Sequence, residues 1–374
     1  MPILECSRCI LTSDDDTNLS IDEDGICNNC RSFDVAWKDL PHTEDQVNSA
    51  LESVFNKINN QKGPRDYDCL IGVSGGVDST YLAMLVTDLG LNPLAVHFDN
   101  GWNSELAVKN IENLVSKLDI DLITYVIDWN DFKALQLAYI RASVIDIEVL
   151  TDHAIYGALY KLAEKHNIKY IVSGVNVATE HVLPNAWIYN KLDYINIQNI
   201  YDKYGDGRKL GNYPFVNERV RRFIKASGIE IIRLLDLVNF NHAMAKVEIT
   251  NRVGWQAYEG KHFESIFTRF YQGYILPKKF GVNKRKAHLS NLVCSGQLTR
   301  ESALSQIKAE NYSAQQQQDD RGFVLKKLGL SNQEFDQILA LPQRAHRDFY
   351  QLGSFFGHNK WARPLEKLWR KYRG

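Results

Sequence analysis

Apolar positions in this chain follow two rhythms, and the switch between them marks its organisation. From Tyr67 to about Val175, short apolar runs alternate with stretches of helical spacing. The runs predict strands at 69–73, 93–98, 122–127 and 170–173. The helical stretches predict helices at 79–89, 104–118, 132–142 and 152–166. This succession implies an α/β fold, with a mostly parallel sheet covered by helices on both faces. Before it, residues 35–58 carry helical periodicity, and 59–64 read as a linker. Beyond residue 190 the chain turns helical and aromatic. The expected division is therefore 1–33, a helical linker over 34–64, a core over 65–190 and a helical region over 191–374, which would bind substrate and partners.

Composition narrows the class without naming it. The chain has 374 residues, 44% of them hydrophobic and 24% charged, with a formal net charge of −1. An ordinary globular protein is expected, with no excess of positive charge to draw nucleic acid or membrane. No run of about 18 apolar residues and no leader pattern is found, so a soluble, cytoplasmic protein is expected.

The first strand runs into Val73, Ser74, Gly75, Gly76, Val77, Asp78 and Ser79, and a helix follows. Two glycines let backbone approach a ligand, and the N–H groups of a helix start point at anions. Ser74 and Ser79 add hydroxyls, and Asp78 can hold Mg²⁺. This is neither a Walker loop nor a dinucleotide fingerprint. The hexapeptide resembles the PP-loop of ATP pyrophosphatases, the adenine nucleotide alpha hydrolase-like fold, which cleave ATP to AMP and pyrophosphate. A ligand-free glycine turn is the bland alternative. By that analogy Val96 and Phe98 flank the adenine. After the fourth strand, Gly174 leaves room for nucleotide, while Asn176, Thr179 and Glu180 point polar groups at the same cavity. Glu180 would hold magnesium or orient substrate.

Cys6, Cys9, Cys27 and Cys30 form two CxxC pairs. Four thiolates close a tetrahedral, structural Zn²⁺ site; a redox CxxC is the competing reading. The acidic stretch between the pairs reads as a solvated loop. Cys69 and Cys294 are left over, Cys69 on a strand expected to be buried. Farther on, Lys261, His262 and Glu264 precede Arg269, Lys278, Lys279, Lys284, Arg285 and Lys286 among aromatics, with 273–277 expected to break any continuous helix. These cations suit an anionic substrate or a departing pyrophosphate, unless they only form a solvated face.

Taken together, the four cysteines, SGGVDST, GVNVATE, GKHFESIFTRFYQGYILPKKFG and NKRKAHLSNLVCSGQLTRESAL resemble the N-acetyl sugar amidotransferases of bacterial surface-polysaccharide and nonulosonic acid biosynthesis. The resemblance covers Cys6 to about Leu304. It implies ATP-driven conversion of an acetamido group on a nucleotide-activated sugar to an acetamidino group, through an adenylated imidate. It also implies ammonia from a glutaminase and channel pair resembling histidine-pathway synthase subunits. The assignment that follows gives Asp78, Lys261, His262 and Glu264 to catalysis, and Asn176, Lys284 and Arg285 to substrate. A PP-loop tRNA thiolase, which needs a reactive cysteine, and a nucleotide-sensing scaffold are the alternatives.

Overall fold

The computed structural model describes residues 3–61, 66–260 and 263–354. Five strands, β1 (Cys69–Gly72), β2 (Pro93–Asp99), β3 (Leu122–Val126), β4 (Tyr170–Ser173) and β5 (Glu230–Arg233), form one sheet in the order β3-β2-β1-β4-β5. Every pairing is parallel. Both faces of the inner strands are buried, as a parallel sheet requires. Cys69 and Ile71 pack into one core with Ala83, Val86 and Ile111, whereas Leu70 packs into another with Leu94, Leu159 and Ala163.

Two helices precede the sheet, α1 (Asn28–Lys38) and α2 (Glu44–Asn59); Pro41 lies between them, and a Thr43–Gln46 capping box restarts the second. The continuous 35–58 periodicity is thus two helices. Around the sheet lie α3 (Val77–Asp88), α4 (Glu105–Leu118), α5 (Trp129–Ala142), α6 (Val149–Lys165), α7 (Val177–Glu180), α8 (Tyr194–Tyr204), α9 (Glu218–Ser227) and α10 (His242–Val253). β5 falls in the stretch the periodicity reads as helical. It is an edge strand with only Ile232 buried, so it carries little apolar alternation.

The remainder is helical: α11 (Ile266–Phe270), a wide π-wound continuation (Tyr271–Phe280), α12 (Lys284–Cys294), α13 (Arg300–Lys308), α14 (Ala314–Leu328) and α15 (Asn332–Ala340). The expected break at 273–277 does not occur. Gly273 packs closely, since a β-carbon there would lie 2.4 Å from the Tyr312 ring, and the wider winding takes Pro277 without ending the helix.

The first thirty residues are not a separate bead. Leu11, Leu19 and Phe33 share a core with Phe132, Phe267, Tyr271 and Leu328. The acidic stretch is not wholly solvated either. Asp16 is buried, and Asp15 accepts from Lys286 at 2.6 Å.

Candidate functional site

The strand order reverses between β1 and β4, and in open α/β sheets a crevice forms at that point beyond the strand ends. The glycine turn lies there. Gly75 has φ +80°, and a β-carbon on it would come within 2.7 Å of the Ala107 carbonyl. Gly76 caps α3 without a side-chain hydrogen bond. Ser79 Oγ accepts from the Ser74 N–H at 3.2 Å and lies 3.1 Å from Ser74 Oγ. Gly174, at the end of β4, approaches the same helix start; its β-carbon would be 3.3 Å from the Asp78 carbonyl. A narrow, donor-rich cradle results. Its residue types fit a pyrophosphate, with Asp78 as the carboxylate for a divalent cation.

The chain beyond β5 closes on this turn. Trp255 Nε1 and Tyr258 Oη both donate to the Gly75 carbonyl, at 2.8 and 3.1 Å. Ser104 N–H donates to the Glu264 carbonyl and Ile266 N–H to the Trp102 carbonyl, both at 2.8 Å. This short pairing holds Glu264 against Gly76, where its Oε1 would lie 2.7 Å from an added β-carbon. Lys246 of α10 lies near Asp78. Burial lowers its ammonium pKa, and the Asp78 carboxylate opposes that shift. Its helix carries no motif, so only the packing of α10 on α3 reveals it.

Other candidates fall elsewhere. Val96 is buried beneath α6 with Leu159 and Tyr160, and Phe98 stacks on Tyr125 with centroids 5.8 Å apart. The pleat turns His97 toward the turn in their place. Asn103 Nδ2 donates to His97 Nε2 at 3.1 Å, so the proton is on Nδ1, which donates to the Val73 carbonyl at 3.2 Å. Asn176 is bonded within its own loop. It is 1% exposed, its Oδ1 accepts from Thr179 N–H and Oγ1, and its Nδ2 donates to the Gly174 carbonyl. Glu180 ends α7 in the field of Asp236. Lys261 and His262 lie outside the described residues.

Lys284 and Arg285 line a cavity of about 550 Å³ with Thr179, Phe263, His288 and Tyr312. Lys284 is buried and paired with Glu148 at 3.0 Å. Arg285 donates instead to the Ala309 and Gln306 carbonyls, at 2.9 and 2.8 Å. Phe263 adjoins Glu264 and Thr179 adjoins Glu180, so the cavity shares its walls with the segments that reach the turn. A larger cavity of about 1150 Å³ lies beyond β3 and holds none of the candidate residues.

The sulfurs of Cys6, Cys9, Cys27 and Cys30 are buried and lie within 4.8 Å of one another. Cys6 and Cys30 are 3.8 Å apart, as are Cys9 and Cys27. A tetrahedron with Zn–S bonds of about 2.3 Å has edges of about 3.8 Å, so the set fits Zn²⁺. Of the other two cysteines, Cys69 is fully buried and its pKa is pushed up to about 12 by that burial.

Residues 264–360 match the family described as LPS biosynthesis protein WbpG-like, C-terminal domain. This independent match falls on the segment whose motifs resemble a surface-polysaccharide family. An uncharacterized protein of Methanocaldococcus jannaschii, MJ1016, is 25% identical over 207 residues, spanning 52% of this chain and 65% of that protein. Among solved structures, NMN synthetase from Francisella tularensis aligns over 65% of this chain and 93% of its own, at 17% identity and a TM-score of 0.30. Among the described residues no helix is long and apolar enough to cross a membrane.

Proposed function

We propose that this chain is an ATP-dependent amidotransferase of surface-polysaccharide biosynthesis. It converts an acetamido group on a nucleotide-activated sugar to an acetamidino group and releases AMP and pyrophosphate. The observation that carries the reading is the glycine turn after β1, closed over by the start of the WbpG-like segment at Glu264. An ATP cradle and a polysaccharide-family segment then meet in one crevice.

An amide carbonyl is a poor electrophile. Its oxygen attacks the α-phosphorus of ATP, pyrophosphate leaves, and the amide N–H proton is lost to give an O-adenylated imidate. Ammonia adds to the imidate carbon, and AMP departs with the former amide oxygen. Backbone N–H groups of Gly75, Gly76 and Val77, with the Ser74 and Ser79 hydroxyls, hold the β- and γ-phosphates. Mg²⁺ on Asp78 would screen their charge. Lys246 adds a fixed cation where charge develops on the leaving group. Glu264 orients the acceptor amide, and Lys261 and His262 serve the same step. Arg285 lines the cavity that would take the anionic part of the sugar nucleotide, and Lys284, paired with Glu148, lies in its wall. Ammonia comes from a separate glutaminase. Against the thiolase alternative, Cys69 is sealed in the core and Cys294 lies against Cys30.

The test is product analysis. AMP and pyrophosphate should appear only when both ammonia and an acetamido sugar nucleotide are supplied. ADP as the nucleotide product would end the proposal.

A further inference from the structure

The four-thiol site has a fifth sulfur beside it. Cys294, at the end of α12, places Sγ 3.4 Å from Cys30 Sγ, closer than the 3.8 Å contacts within the set. Four thiolates around Zn²⁺ leave the site with two excess negative charges, and hydrogen-bond donors to sulfur must share them. Three of the sulfurs have backbone donors. Cys6 Sγ accepts from the Cys9 and Cys27 N–H groups, at 3.4 Å each. Cys9 Sγ accepts from Leu11 N–H at 3.5 Å, and Cys27 Sγ from Cys30 N–H at 3.4 Å. Cys30 differs because it lies inside α1, where the following N–H groups are committed to the helix. Among the described residues no backbone N–H reaches its sulfur.

We infer that Cys294 supplies the missing donor, its S–H directed at the Cys30 thiolate, so that α12 completes the metal site without ligating the ion. Cys294 is a positioning residue. The surrounding contacts hold it there: Arg8 Nη2 donates to the Cys294 carbonyl at 2.9 Å, Ile10 N–H donates to Ser290 Oγ, and Arg300 donates to the Cys6 and Cys9 carbonyls. The metal site and the WbpG-like segment are thereby coupled.

The test compares the full-length wild type with Cys294→Ala and Cys294→Ser, loaded with one Zn²⁺ and titrated with a colorimetric chelator, and separately loaded with Co²⁺. Removal of a partner of this kind costs about 10–100-fold in metal affinity. Alanine should therefore weaken zinc by about tenfold or more, and serine, which keeps a donor, should fall between alanine and wild type. Both variants should keep the tetrahedral four-thiolate Co²⁺ spectrum. Equal zinc affinity in alanine and serine, or alanine within twofold of wild type, overturns the inference. So does loss of one thiolate from the Co²⁺ spectrum, which would make Cys294 a ligand. Should the alanine variant not fold, serine alone decides: weakening by more than about a hundredfold relative to wild type, or loss of one thiolate from its Co²⁺ spectrum, overturns a donor role.

Discussion

Gly75 and Lys246 illustrate two kinds of residue gathered at the glycine turn after β1. At Gly75 a positive φ and the nearby Ala107 carbonyl leave no place for a side chain. Lys246 instead contributes charge from a neighbouring helix, half-buried and facing Asp78. Replacing it by methionine keeps the aliphatic stem that packs on α3 and removes only the ammonium. We expect Lys246→Met to fold normally and lose about tenfold to hundredfold in kcat/KM for ATP. Unchanged ATP kinetics would place the charge outside the reaction. The glycines were legible because their chemistry is local to six consecutive residues. Lys246, Trp255 and Tyr258 were not, since nothing near them in sequence tells which turn they reach.

The same contrast holds for whole elements. Strands β1, β2 and β4 and helices α3 to α6 stood out because their apolar spacing is dictated by burial on both sheet faces. By contrast β3, an edge strand with no buried residue, was legible only from its unbroken β-branched and aromatic run. β5 was hidden by its exposed edge, and the π-wound helix by a glycine and a proline that ordinarily signal a break. Polar residues mislead in a related way. Asn176 sits in a loop at a strand end, where a ligand contact is expected, yet its carboxamide caps α7. Asn176→Ala should cost about 1 kcal/mol in denaturant unfolding and leave KM for the sugar nucleotide within twofold. A large rise in KM at unchanged stability would restore it as a substrate ligand.

Two buried imidazoles tie distant parts of the molecule together and set its acid limit. His153 Nε2 accepts from Val216 N–H at 2.9 Å, and its Nδ1–H donates to the Lys191 carbonyl at 2.8 Å. His346 donates from Nδ1 to Asn196 Oδ1 at 2.9 Å and stacks on Tyr189. Burial depresses each from its ordinary 6.5 to about 4. Both rings are therefore neutral in the fold and protonated first in the unfolded chain. Their contribution is fully present above pH 6.5 and is lost as pH falls toward 4. Each is worth about 3 kcal/mol at most. Urea unfolding from pH 7 to 5 should show stability falling with pH, and His153→Gln should flatten the slope. A slope of the opposite sign would mean that the rings are charged when folded.

In the proposed reaction the amide oxygen of the sugar attacks the α-phosphorus of ATP in the crevice between β1 and β4. A sugar nucleotide carrying ¹⁸O in its acetamido carbonyl, turned over with ATP and ammonia, reports on this directly by mass spectrometry of the products. One ¹⁸O should appear in AMP and none in pyrophosphate or phosphate. Label in inorganic phosphate, or retained in the sugar product, would contradict it.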